Sequence, residues 1–270
     1  MTKTQSVLGN ISDQNFKEYL SLVSRFRDFD FNQMHNLGHQ ILKYYRSNEK
    51  GRNLLQPGQK LEKQWYDSLD RKSPDMSVYS NDFFIPEVWA CWVLYSRKYL
   101  LSLKKSENLI KLIRSNIESV VDLGCGFGYT TAALKEIFQN TEVYGTNIKE
   151  SFQFSVASEL GRLNKFSIVE DVKEIGEKID FIFASEYFEH FEDPISHLNH
   201  IIRHTKPKCL VIANAFGSRS IGHFNNYWSG SSLVSNKKIG RDFNKRLREL
   251  GFRSMKTKFW NNRPSVWIRS

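Results

Sequence analysis

The run Glu186-Tyr187-Phe188-Glu189-His190 sets two carboxylates and an imidazole within five residues, and a second imidazole, His223, follows later in the chain. Histidine changes charge near neutral pH, so His190 or His223 can take a proton from a hydroxyl, with Glu189 beside them. A second reading is metal binding. Two carboxylates with two imidazoles would suit magnesium loosely and manganese or iron better. A third reading is structural, with Glu189 and His190 only shaping a loop. All three stay open at this stage; the reading carried forward is acid–base catalysis by His190, His223 and Glu189 without a metal. Upstream, Asp122-Leu123-Gly124-Cys125-Gly126-Phe127-Gly128 spaces three glycines by two. Glycines there let backbone approach a nucleoside-like ligand closely, and the loop opens onto a helix N-terminus.

These groups need elements to hold them. Val120 and Val121 lie in a strand over 119–123 that enters the glycine loop, and Tyr129–Phe138 has apolar residues at helical spacing. Strands follow at 142–145, 165–169, 179–184 and 209–213, with helices at 152–160 and 195–204 between them. The run 179–184 is almost wholly apolar, as a central strand buried on both faces would be. Phe243–Leu250 reads as a helix closed by Gly251. Phe252–Trp260 and Ser265–Arg269, split by Asn261-Asn262-Arg263-Pro264, form a terminal hairpin. The fold class is α/β: a seven-stranded, mainly parallel sheet with a C-terminal antiparallel hairpin, preceded by a helical region. Helices are predicted at 14–26, 34–46, 61–69 and 87–103. Residues 1–104 are expected to cap the substrate side of a catalytic domain over residues 105–270.

Val120–Thr131 resembles the first motif of class I S-adenosylmethionine (SAM) dependent methyltransferases, and the similarity runs from about Ile117 to the C-terminus. The resemblance implies SAM as cofactor on a Rossmann-like fold. Asp122 would orient the amine of its methionine part, with Gly124, Cys125 and Gly126 lining that end. Asn147, followed by Ile148, stands where such enzymes usually carry an acid that accepts from both ribose hydroxyls; its carbonyl can accept from one. Glu170-Asp171-Val172 resembles the adenine-binding turn, with Asp171 as acceptor and Val172 offering its amide; a plain helix N-cap is the other reading of Asp171. Ala184 to Pro194 resembles the fourth motif of small-molecule methyltransferases, so Ser185 would face the cofactor. Glu-x-x-Glu-His also resembles the magnesium-binding segment of small-RNA 3′-terminal 2′-O-methyltransferases, which implies Glu186, Glu189 and His190 as alternative metal ligands, with His223 as a fourth. The loop Asn214–Trp228 would wall the acceptor pocket; Glu186, Arg219 and Tyr227 are the expected acceptor contacts.

The net charge is +10, and residues 206–270 alone hold 14 basic and 2 acidic residues. Such a field would draw an anionic acceptor. Cys91, Cys125 and Cys209 are too few and too scattered for a disulfide framework or a cysteine zinc site. Neither a signal peptide nor a membrane span is evident, which favours a cytoplasmic protein. The leading expectation is methyl transfer to oxygen or nitrogen of a polar, anionic small-molecule or sugar-like acceptor. An RNA acceptor is the alternative, and a SAM-binding protein without activity is a third reading. DNA amino-methylation is disfavoured, because Ser185-Glu186-Tyr187-Phe188 replaces the Asp/Asn-Pro-Pro-aromatic tetrapeptide that holds a flipped base.

Overall fold

A computed structural model describes residues 6–47, 55–106, 117–176, 178–257, 259 and 263–270. Seven strands form one sheet: β1 (Ser119–Leu123), β2 (Glu142–Thr146), β3 (Ser167–Val169), β4 (Phe181–Ser185), β5 (Cys209–Ala213), β8 (Phe252–Met255) and β9 (Ser265–Arg269). Their order across the sheet is β3-β2-β1-β4-β5-β9-β8. The first five run parallel, while β9 inserts antiparallel between β5 and β8. Order reverses between β1 and β4, and a ligand in an open parallel sheet sits beyond the strand C-termini at such a switch point.

Side-chain alternation explains why the central strands read as continuous apolar runs. Phe181 and Phe183 join one hydrophobic cluster while Ile182 and Ala184 join the other. β1 and β5 divide the same way, Val120, Cys209 and Val211 against Val121, Leu210 and Ile212. Successive residues of a strand point to opposite faces, so both faces of this sheet are covered. The N-terminal helices supply part of each cover: Phe16, Tyr19 and Trp89 pack in the first cluster, Ile41, Leu61 and Trp65 in the second.

Several elements depart from expectation. Helix Gln56–Asp70 begins earlier than predicted because Pro57 occupies its first turn, where a missing amide costs nothing. Helices Phe84–Cys91 and Arg97–Lys105 are joined by a π-helical turn, Trp92–Ser96. The last helix spans Asn236–Glu249, seven residues earlier than its apolar spacing suggested. A further hairpin, β6 (Asn226–Ser229) with β7 (Ser232–Ser235), stands where an irregular loop was expected. Strand β3 starts at Ser167, since Lys165 takes a left-handed backbone to end the preceding helix. Trp260, Asn261 and Asn262, assigned above to the terminal hairpin, lie outside the described residues, as do residues 1–5 and 107–116. Among the described residues no helix is long and apolar enough to cross a membrane.

Candidate active site

The glycine loop follows β1 and is tied to the end of β2. The Gly124 amide donates to Thr146 Oγ1 at 3.0 Å and the Cys125 amide to the Thr146 carbonyl at 2.9 Å. Gly124, Gly126 and Gly128 have φ of 67°, 54° and 87°, a left-handed backbone that side chains resist. The three glycines serve different ends. A Cβ on Gly124 would lie 2.5 Å from the Tyr187 ring, so this glycine lets the β4 loop pack on the cofactor loop. A Cβ on Gly126 would meet nothing nearer than Val88 at 3.7 Å, which leaves its backbone open on one side. Cys125 is buried, and burial pushes its thiol far above the usual range, so it packs and does not attack.

Asp122 is buried beneath this loop and accepts from the Thr130 hydroxyl and, at 2.7 Å, from Thr131. Burial raises its pKa to about 7 in spite of those bonds. Asn147 donates its amide to the Gly126 carbonyl at 2.7 Å, and its Oδ1 accepts from the Ile148 amide at 2.9 Å. An acid at 147 could not make the first of these bonds. Ile148 is 55% exposed, an apolar side chain left at the surface beside the loop. Asp171 caps the short helix Val172–Ile175, accepting from the Lys173 amide at 2.9 Å, while the Glu174 carboxylate accepts from the Asp171 amide at 2.9 Å. His200 Nε2 lies 3.3 Å from the Asp171 carboxylate. Partial burial works against ionisation there, yet the Lys173 amide and His200 hold the carboxyl below its usual range. Val172 is buried behind it.

Beyond β4 the chain brings Glu186, Glu189 and His223 together, each offering an oxygen or nitrogen within 4.8 Å of the others. Glu186 holds a φ of 51°, which costs a residue with a side chain about 1–2 kcal/mol, and its amide is pinned to the Ala213 carbonyl at 2.9 Å. Glu186 is exposed as a residue, yet its carboxyl interacts with Glu189; crowding by the surrounding protein raises its pKa and the Arg263 charge opposes that rise. Glu189 is wholly buried; Oε1 accepts from the Ala215 amide at 2.5 Å and Oε2 has no partner among the described residues. Burial and the Glu186 charge push Glu189 well above the usual carboxylate range. His223 Nδ1 lies 2.8 Å from the Ser218 carbonyl, which can only accept, so Nδ1 carries the proton and Nε2 keeps its lone pair. Burial pushes this imidazole down, so it is neutral near pH 7.

His190 belongs to a different arrangement. Its Nδ1 meets the Tyr79 hydroxyl at 2.8 Å, and its ring stands edge-on to His223 with centroids 4.9 Å apart. Burial, then the His223 charge, lowers it to about 3, too weak a base for work at neutral pH. Gly222, at φ 82°, makes the packing possible: a Cβ there would sit 1.8 Å from the Tyr79 hydroxyl and 2.4 Å from His190 Nδ1. Gly222→Ala is expected to cost about 3 kcal/mol in urea unfolding, from backbone strain plus the displaced hydrogen bond; a loss under about 0.5 kcal/mol would contradict this packing.

With this geometry, the methyltransferase domain family matches residues 90–256 of the chain. The chain belongs to the SAM-dependent methyltransferases. No curated protein matches it. Among solved structures it is similar to magnesium protoporphyrin IX methyltransferase from Synechocystis PCC 6803 with bound SAM, at 16% identity over 82% of this chain and 100% of the other, with a TM-score of 0.45. A sugar N-methyltransferase from Streptoalloteichus sp ATCC 53650 is 14% identical over 68% and 91%, with a TM-score of 0.48. The fibrillarin/Nop5p complex is 19% identical over 61% and 80%, with a TM-score of 0.39.

The residues of this methyltransferase fit SAM. The open side of Gly126 is a cradle that a side chain would fill. Ser185 Oγ and Asn214 Oδ1, at the ends of β4 and β5, are buried without partners among the described residues, as is Glu189 Oε2. Buried polar atoms are nearly always paired, and these three are groups that a bound cofactor or acceptor can satisfy.

The methyltransferase holds two of its predicted acceptor contacts elsewhere. Arg219 pairs with Glu62 at 3.0 Å and lies 4.0 Å over the Tyr66 ring. Tyr227 is fully buried, accepting from the Phe224 amide and donating to the Glu189 carbonyl at 3.1 Å, so it braces the loop from behind. Sequence reasoning missed Glu87, whose Oε1 accepts from the Cys91 thiol at 3.2 Å and whose charge reaches Glu186. It also missed Arg263, which bonds Tyr99 and faces Glu186. A lone carboxylate inside the apolar run Ile85–Ala90 was the available signal.

Proposed function

We propose that this enzyme methylates an oxygen or nitrogen of a polar small molecule bound between the π-helical turn Trp92–Ser96 and the Glu186–Glu189–His223 cluster. The single observation that carries the reading is His223, its Nδ1 proton held by the Ser218 carbonyl, grouped with two carboxyls beyond the C-terminal end of β4. SAM supplies an electrophilic methyl group on a sulfonium. The chain's part is to hold the acceptor in line with that methyl and to take its proton. His223 Nε2 accepts the proton of a hydroxyl. Asp122 pairs with the cofactor amine, Gly124, Cys125 and Gly126 line that end, and Ile148 and Val172 flank the adenine. Asp171 accepts from the base, and Asn147 holds the loop while offering its carbonyl to one ribose hydroxyl. Ser185 and Glu186 contact the donor and the acceptor.

An anionic group on the acceptor would meet Arg263. Much of the basic final quarter is spent elsewhere: Lys238 pairs with Asp242, Lys245 and Arg246 pair with Glu249, and Lys208 pairs with Asp180. The N-terminal helices act as the cap, since Val88 stands over Gly126 and Tyr79 braces His190.

A second reading, a metal-assisted RNA methyltransferase, draws on the same three ligand-type groups. Incubation with methyl-labelled SAM and fractionated small-molecule and RNA pools separates them. Label is expected in the small-molecule pool at a rate unchanged by a chelator. Label confined to RNA, or abolished by chelation, would overturn the proposal.

A further inference from the structure

We propose that Asp13, His35 and His39 form a binding site for one borderline divalent transition-metal ion, of the zinc(II) class, clamping helix Asp13–Val23 to helix Phe31–Ser47. The site is remote from the methyl-transfer cluster in sequence and shares no residue with it. His35 and His39 sit four apart on one helix, so their rings leave the same face. His35 Nε2 and His39 Nε2 lie 2.7 Å and 2.8 Å from Asp13 Oδ1 and 3.3 Å from each other. Donors around a tetrahedral ion with bonds of about 2.0–2.1 Å lie about 3.3 Å apart. The two nitrogens already have that spacing, and the carboxylate need retreat only about half an ångström.

The rings are held by packing. His35 stacks between Phe16, at 5.5 Å and 22°, and Phe31, at 6.5 Å and 12°. His39 stands edge-on to His35 at 4.6 Å and to Phe16 at 6.0 Å. Gly38 permits this, because a Cβ there would fall 2.2 Å from Phe16 Cζ. Phe16 can therefore enter between the helices, and Asp13, one turn earlier, reaches both imidazoles. Lys17 holds the other carboxylate oxygen at 2.8 Å, which fixes the rotamer and leaves Oδ1 for the shared position. Two ring nitrogens aimed at one oxygen and 3.3 Å apart crowd two N–H protons; a cation in the centre uses both lone pairs instead. His39 also borders a surface hollow with Leu42, Lys43 and Arg46, so an ion and its waters have access. Two imidazoles and one carboxylate favour zinc, cobalt, nickel or copper over magnesium or calcium.

The test uses the full chain without an affinity tag, stripped with EDTA and then dialysed. Calorimetric titration with zinc chloride is expected to show one equivalent bound, with millimolar magnesium giving no competition. Cobalt(II) should give visible d–d absorption that zinc removes. His39→Gln, a change at a half-exposed side chain, and Asp13→Asn are each expected to weaken binding at least tenfold. The zinc-induced rise in Tm should vanish in both. Binding unchanged in both variants, or abolished instead by Glu189→Gln, would overturn the proposal. So would the absence of saturable binding, which would leave an Asp–His ion pair alone.

Discussion

Exchanging His223 for asparagine is expected to lower kcat for methyl transfer at least 100-fold while leaving SAM affinity within about twofold. Ser218 fixes the His223 proton on Nδ1, so the opposite nitrogen keeps the lone pair that can accept a proton. Asparagine keeps the polar contact to the Ser218 carbonyl and removes the base. The matching change at His190, to glutamine, is expected to act on stability first. Its ring is committed to Tyr79, and at a pKa of about 3 it holds too little affinity for a proton to serve. Steady-state kinetics with urea unfolding on both variants separates the roles. Equal losses of kcat with intact folding would return His190 to the chemistry.

Asp122→Asn is expected to weaken SAM binding about 10- to 100-fold, the worth of a charge-assisted hydrogen bond in a buried place. The pH dependence has a definite sign. In the free enzyme the Asp122 carboxyl titrates at about 7, against 3.8 for an ordinary aspartate. The unfolded chain therefore loses this proton before the folded one does. Stability from Asp122 is fully present below about pH 4 and is lost as pH rises to about 7, on the order of 4 kcal/mol in all. An ammonium group from the cofactor reverses the penalty, because it needs the ionised carboxylate. SAM affinity should rise about tenfold per pH unit below 7 and level off above it, with proton release below 7. In Asp122→Asn this dependence should be absent.

Much of the scaffold was legible because its signals are local. Three alternate glycines after Val120-Val121, and the unbroken run Ile179–Ala184, admit few readings other than a ligand loop and a strand covered on both faces. What escaped was set by tertiary packing. The hairpin of β6 and β7 turns on Gly230 within a polar stretch whose only strong apolar positions are Tyr227, Trp228, Leu233 and Val234. Helix Asn236–Glu249 buries only Ile239, Phe243 and Leu247, so its first two turns read as loop. Within the site, the spacing of Glu186, Glu189 and His190 suggested that they act together. The fold splits them, because Gly222 and Tyr79 capture His190 while His223 arrives from the β5 loop. Asn147 was legible as a departure from the usual acid; its bond to the Gly126 carbonyl shows what the amide accomplishes that an acid cannot.

The most direct test of the account is calorimetric titration of SAM into the purified enzyme and its Asp122→Asn variant at pH 5.5 and pH 7.5. We expect one equivalent bound, at least tenfold tighter at pH 7.5 in the native enzyme, with the pH difference lost in the variant. No binding at millimolar SAM, or the same affinity at both pH values in the native enzyme, would contradict the cofactor site described above.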